Sequence, residues 1–220
     1  KFNLCDNKIG NEVGIDFNGT HAEYVIIPER FLYPIPAGVD FEKAVITEPL
    51  ACVLNNISAA NVNLQDIVVI FGAGPIGTIC AMVAEKIAKQ VVIVETNSQR
   101  ACYVKKYIKN VVDGGGLTRE KIYCEILKFT KNKKPSVIID SVGSTLETAL
   151  DFIEKGGRIV LMGFNSEYKG IVSTLQITLN AIKIIGASDY NMDIQKAIEL
   201  LGLFPLEKLI THKVSLAEHE

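Results

Sequence analysis

The sequence predicts an α/β fold, a doubly wound parallel sheet of six strands preceded by a shorter β segment. Three observations carry that expectation. From Asp66 onward, short and continuous apolar runs alternate with helical patterns. Such runs belong to strands buried on both faces, the condition of a parallel sheet between two helix layers. A glycine-rich turn, Gly72-Ala73-Gly74-Pro75-Ile76-Gly77, joins the first run to the first helix. An acidic residue, Glu95, closes the next run 23 positions after Gly72.

Residues 1–20 are rich in Asn, Gly and Asp and read as loop. Tyr24-Val25-Ile26-Ile27 is a short strand pattern closed by Pro28. Pro34, Pro36 and Gly38 then keep the passage from Phe31 to Asp40 out of any regular element. A helical pattern begins at Phe41 and runs through Leu50, Val53 and Ile57, with Pro49 expected to interrupt or restart it.

The alternating rhythm starts with a strand at Ile67 to Phe71. A helix follows from Pro75 to Lys89, with Ile76, Ile79, Cys80, Val83 and Ile87 on one face. Val91 to Val94 is a strand ending in Glu95, and Ser98 to Tyr107 a helix with Ser98 as its N-cap. Val111-Val112, a helix from about Thr118 to Phe129, and Val137 to Ile139 ending in Asp140 come next. Ser144 to Ile153 reads as a helix and Arg158 to Leu161 as a strand. Ile182 to Ile185 is the sixth strand, and Met192 to Leu201 is amphipathic with Gly202 as C-cap. Residues 164–181 carry no clear pattern. The expected division is a β-rich remnant over 1–44 and a nucleotide-type α/β domain over 45–220.

Composition narrows the function. Among 220 residues, 23 Lys+Arg stand against 25 Asp+Glu, with no basic block, so nucleic acid is not expected as a partner. A hydrophobic fraction of 48% supports a substantial core. The five cysteines are odd in number and contain no C-x-x-C, which fits a reducing compartment, the cytoplasm, better than a disulfide scaffold. The uncharged run from Ile67 to Ala84 is 18 residues long, but its glycines and Pro75 make it strand, turn and helix rather than a membrane span. The sequence begins at Lys1 without a signal-like head and reads as part of a longer protein.

The glycine turn carries the chemistry. Gly72 permits the sharp turn, Gly74 removes a side chain where a pyrophosphate would lie, and Gly77 lets helix and strand pack closely. Pro75 is tolerated in the first helical turn, where the remaining free N–H groups, beginning with Ile76, would face an anion. A carboxylate at Glu95 can accept hydrogen bonds from both ribose hydroxyls of NAD and would repel the 2′-phosphate of NADP. Arg100, five residues on, could attract that phosphate, but no second basic residue adjoins Glu95, so the balance favours NAD. Val142-Gly143 and Met162-Gly163 sit at carboxyl ends of strands, where a ligand lies in this fold. Asp140 could face a cleft or cap the following helix.

Metal and catalytic signals are thinner. His21, His212 and His219 are not spaced as a metal cluster. Glu48 sits in the apolar Ile46-Thr47-Glu48-Pro49-Leu50, where a carboxylate needs a partner, a metal or the surface. Cys52, four residues later, reads as core.

Taken together, several of these passages resemble the zinc-dependent medium-chain alcohol and polyol dehydrogenases, particularly the sorbitol and threonine dehydrogenase branch. The marks are Asn3-Leu4-Cys5, Gly19-Thr20-His21-Ala22-Glu23-Tyr24-Val25, Pro34-Ile35-Pro36 and Ile46 to Leu50. They continue with the glycine turn, Asp140-Ser141-Val142-Gly143-Ser144, Gly156 to Val160 and Ile210-Thr211-His212.

The resemblance implies a GroES-like catalytic segment at the N-terminus. It implies that Cys5 is one ligand of a structural zinc and Glu48 one contact of a catalytic zinc. Ser141 and Val142 become cofactor contacts, and Leu161, Met162, Gly163 and Phe164 match the segment beside the nicotinamide. The expected reaction moves a hydride between NAD and a secondary alcohol or polyol. The family's catalytic cysteine and Gly-His-Glu motif have no counterpart in this sequence, so the chain alone is expected to be inactive and to hold no zinc well. A dinucleotide-binding module without catalysis and a zinc-free quinone reductase relative are the alternatives. The sixth strand, apolar and at a sheet edge, points to a homo-oligomer.

Overall fold

In the computed structural model the described residues are 4–7, 10, 12–187, 189–191 and 193–218. Lys1, Asn3, Met192 and His219 lie outside them. The chain divides into two compact units, Val53–Ser188 on one hand and Lys1–Cys52 with Asp189–Glu220 on the other. The boundary at Cys52 falls inside a helix, and residues 189–220 belong to the smaller unit.

The larger unit is the expected sheet. Its strands are β1 (Ile67–Phe71), β2 (Gln90–Glu95), β3 (Val111–Asp113), β4 (Val137–Asp140), β5 (Arg158–Leu161) and β6 (Lys183–Gly186). They lie in the order β3-β2-β1-β4-β5-β6, and every pairing is parallel. In chain order the helices are α1 (Phe41–Ala44), α2 (Thr47–Ala59), α3 (Pro75–Ala84), α4 (Ser98–Val104), α5 (Arg119–Thr130), α6 (Leu146–Phe152), α7 (Thr174–Leu179) and α8 (Ile194–Leu200). The unassigned stretch 164–181 contains α7, capped by Ser173, whose side chain accepts from the Gln176 N–H.

All five residues of β1 are buried, because both of its faces are covered. Val69, Phe71, Val92, Val94 and Ile138 pack into one cluster with Ile126, Leu150 and Phe152 from α5 and α6. The alternate residues Val68, Ile70, Val91 and Ile93 are buried too; α3 packs on β1 and β2, and α4 on β2 and β3. A period of two and a helix layer on each face together explain why the strands read as unbroken apolar runs.

Several boundaries differ from the sequence pattern. α3 ends at Ala84, although its apolar face continues to Ile87, because Lys86 to Ala88 tighten into turns and the chain is drawn back to the sheet by Lys89 and Gln90 N–H bonds to Asp66 O. The N-cap of α4 is Asn97, whose Oδ1 accepts from Arg100 N at 3.0 Å; Ser98 Oγ instead donates to Asp113 Oδ1 at 2.9 Å. Gly202 lies within a 3-10 turn, Leu201–Leu203, rather than capping α8 as expected.

The smaller unit holds α1, the first turns of α2, α8 and short 3-10 turns. Pro49 falls in the first turn of α2, so it restarts the helix instead of breaking it. Leu50, Ala51, Ala197, Ile198, Leu201, Phe204 and Leu206 are its buried apolar residues. Ion pairs join Lys43 to Glu207 at 3.5 Å and Lys213 to Glu42. The strand expected at Tyr24 to Ile27 does not form: Tyr24 is 90% and Ile26 101% exposed. A strand exists only in a ladder, and no described strand pairs with this segment. No helix among the described residues is long and apolar enough to cross a membrane.

Candidate cofactor site

The site lies at the carboxyl end of the larger unit's sheet, where β1 and β4 are neighbours and the chain order runs away in opposite directions. That switch point is where an open α/β sheet leaves a crevice for a ligand. The glycine turn, Glu95, Ser141 to Gly143 and Met162 to Phe164 all follow strand ends there. The structure therefore brings the sequence-predicted cofactor residues to one edge of one sheet.

The three glycines do three different things. Gly72 has φ +92°, and a Cβ on it would lie 2.8 Å from Val142 Cγ2 and 2.9 Å from Ser141 Oγ. A Cβ on Gly77 would lie 2.0 Å from the Gly72 carbonyl oxygen. Gly74, the N-cap of α3, is the opposite case, since a Cβ there would meet nothing within 4 Å. Two glycines are thus required by the protein's own packing. The third keeps a space open at a helix N-terminus, where N–H groups without an intrahelical acceptor gather. Pro75 is the first residue of that helix and Ile76 the second.

Glu95 ties the turn to β2. Burial raises its carboxyl pKa, but the Asn97 and Ala73 N–H groups and the Arg100 guanidinium together outweigh that and hold it below the ordinary carboxylate value. Ala73 N donates to Oε2 at 2.8 Å, Asn97 N to Oε1 at 2.8 Å, and Arg100 Nη1 to Oε2 at 3.1 Å. Arg100, half exposed, is the ion-pair partner of Glu95. A carboxylate has roughly four lone-pair positions, so three bound donors leave it room for one more hydroxyl.

Asp140 neither caps α6, whose N-cap is Thr145, nor stands free: it braces the preceding loop, accepting from the backbone N–H groups of Val142, Gly143 and Thr145 at 3.0, 2.8 and 2.9 Å. Ser141 Oγ donates to Phe71 O at 2.6 Å, so its hydroxyl fastens the turn to the end of β4. The loops after β4 and β5 meet backbone to backbone, since a Cβ on Gly163 would lie 2.2 Å from Gly143 N. Met162 turns its side chain into the core, with its sulfur 3.6 Å from Cys80 Sγ. Burial pushes that thiol up to about 12, which leaves it protonated and inert. Val142 and Phe164 are exposed and Leu161 is half-buried. Thr145 Oγ1 is buried without a hydrogen-bond partner in the loop before α6; a lone threonine in sequence gave no signal of this.

A dinucleotide fits these residues: Gly74 leaves its cradle open, the first turn of α3 offers N–H groups, and Thr145 holds an unspent hydroxyl. Zinc is a different matter. In the smaller unit Glu48 is exposed in the first turn of α2 and accepts a hydrogen bond from Cys52 Sγ at 3.1 Å, so Cys52 is half-buried beside it rather than core. Tyr190 lies in the same neighbourhood, its hydroxyl pKa raised by burial and then by the negative charge of Glu48, Cys52 and Tyr33. Cys5 is exposed. Among the described residues no three of His, Cys, Asp and Glu converge on one point. A catalytic zinc takes three protein ligands and a structural zinc four, so these residues alone do not fit the metal.

A parallel sheet in this order with a glycine turn and an acidic strand end defines the class of dinucleotide-binding proteins. Residues 75–202, more than half of the chain, match the family model described as zinc-binding dehydrogenase, and the chain belongs to that family. It is 28% identical over 223 residues to a sorbitol dehydrogenase of Halalkalibacterium halodurans, covering 99% of this chain and 64% of the relative. A D-xylulose reductase A of Aspergillus oryzae is 27% identical, with 100% and 63% covered. Among solved structures, a short chain alcohol dehydrogenase of E. coli complexed with NADH superposes with a TM-score of 0.84 at 27% identity, over 93% of this chain and 61% of that one. The chain thus spans a little under two thirds of these relatives.

Proposed function

We propose that this chain is the cofactor-binding part of an NAD-dependent dehydrogenase that acts on a secondary alcohol or polyol. The observation that carries the reading is the coupling of Glu95 to the glycine turn. One buried carboxylate is held by Ala73 N–H beside an N-terminus whose Gly74 faces open space. NAD, when bound, supplies the hydride acceptor. The chain's own part is to hold the pyrophosphate at the first turn of α3 and the ribose at Glu95, with Val142, Phe164 and the backbone of Leu161 to Gly163 lining the nicotinamide end. The relatives named above support the substrate class, a sugar alcohol or related secondary alcohol. Free thiols on all five cysteines agree with a reducing compartment, the cytoplasm.

The resemblance gives Glu48 one contact to a catalytic zinc and Cys5 one to a structural zinc.

Calorimetric titration with NADH and, separately, NADPH tests the proposal in a chain that has no Trp to report by fluorescence. Saturable NADH binding with NADPH about tenfold weaker or more is expected from the carboxylate at Glu95. Equal or tighter NADPH binding would overturn the choice of NAD and move the argument to Arg100. No binding of either by a folded sample would overturn the site.

A further inference from the structure

At the opposite end of the same sheet, where β1, β4 and β6 begin, lies a cavity of about 570 Å³. Its floor is apolar and buried, made by Ile67, Leu150, Ile153 and Ile182. Its walls bring in four exposed lysines from three loops, Lys89, the adjacent Lys133 and Lys134, and Lys155. None of the four forms an ion pair among the described residues; Lys134 only lies over the Tyr123 ring, 5.9 Å from its centroid. Two carboxylates line the same space. Asp151 is neutralised by Arg119 at 2.9 Å, which leaves Glu154.

We infer that this cavity is a second ligand site, one for an organic anion with a phosphate-class head and an apolar or aromatic body. Charge decides the sign of the ligand. The C-terminal ends of α5, α6 and α7 adjoin the cavity, each carrying about half a negative charge. Those three ends and Glu154 together offset fewer than three of the four lysines, so the walls retain a net positive charge. An inorganic ion would leave the floor uncovered, and a neutral apolar molecule would leave four ammonium groups facing a dry solute. A ligand that joins the two features satisfies both. Gln176 and Asn180 each use one amide hydrogen on Leu150 O and Gln176 O and keep a second donor hydrogen each. The site shares no residue with the glycine-turn crevice, so it stands whether or not NAD binds there.

The test is calorimetric titration with 1-naphthyl phosphate, 1-naphthol and inorganic phosphate. The parent chain is compared with the double variant Lys133→Glu, Lys134→Glu and the single variant Lys155→Gln. Saturable binding of 1-naphthyl phosphate is expected, with the other two probes weaker, and a loss of about tenfold or more in the double variant from reversed charge at the walls. The milder Lys155→Gln should weaken binding in the same direction, and it carries the test if the double variant does not fold. Binding unaltered by either variant, or no saturation up to about 10 mM, which is weaker than the affinity of most specific sites, would overturn the inference.

Discussion

Gly74 and Gly77, three residues apart, separate ligand binding from folding. Alanine at Gly77 puts a methyl carbon into the Gly72 carbonyl, and backbone on both sides must move. Gly77→Ala is expected to lose about 1–3 kcal/mol of stability, the usual cost of overpacking, and to bind NADH weakly. Gly74→Ala adds a methyl to open space, so it should melt with the parent while binding NADH at least about tenfold less well, because the methyl sits where the pyrophosphate would. Paired thermal melts and titrations decide this; a Gly74→Ala protein that binds like the parent would remove the cradle.

Glu95 makes a second residue-scale prediction. Its folded pKa is lowered from 4.5. A depressed carboxyl contributes stability that is complete above its unfolded value and lost as pH falls through the folded one. Glu95→Gln should therefore be less stable than the parent at pH 7, with the gap closing below about pH 4.5. Urea unfolding across pH would show a constant gap if the carboxylate did no such work.

At the scale of elements, the loop from β4 to α6 depends on one side chain. Asp140 is 1% exposed and holds three N–H groups in a turn containing Gly143 at φ +84°. Asp140→Ala should cost about 1–3 kcal/mol, the penalty for orphaned buried donors, and disturb the Gly143–Gly163 contact. A melt unchanged from the parent would show the loop to be held otherwise. The sequence left two uses open for Asp140, a cleft or a helix cap, and the structure spends it on a third, bracing the loop before α6. The α4 cap moved by one residue for a similar reason: Asn97 and Ser98 are both good N-caps, and only the position of Asp113 shows that the serine is spent elsewhere.

For the whole molecule, β6 forms an edge of the sheet and, among the described residues, pairs only with β5. The same unit exposes Ile171, Leu175 and Leu179 in and just before α7, the helix that leads into this strand. An apolar, unpaired edge is a liability unless it is covered, and a second copy of the chain would cover it. Sedimentation velocity is expected to show a dimer or larger, and Ile185→Lys to shift it toward monomer. A parent chain that stays monomeric at high concentration would sink that expectation.

The apolar runs, the glycine turn and the acid at the end of β2 were determined by sequence alone. Each is a local requirement: a strand covered on both faces, a backbone that must turn and approach closely, a carboxylate at a fixed chain distance. Six strands and their order of appearance follow from such signals. Tertiary structure decided what depends on partners distant in the chain. It spent Arg100 on Glu95 and Ser141 on Phe71 O, and it turned Met162 into the core. It denied Tyr24 to Ile27 a strand for want of a ladder. It also gathered four lysines from three loops around one cavity. No spacing in a sequence encodes these, because a hydrogen bond or an ion pair is settled by distance in space.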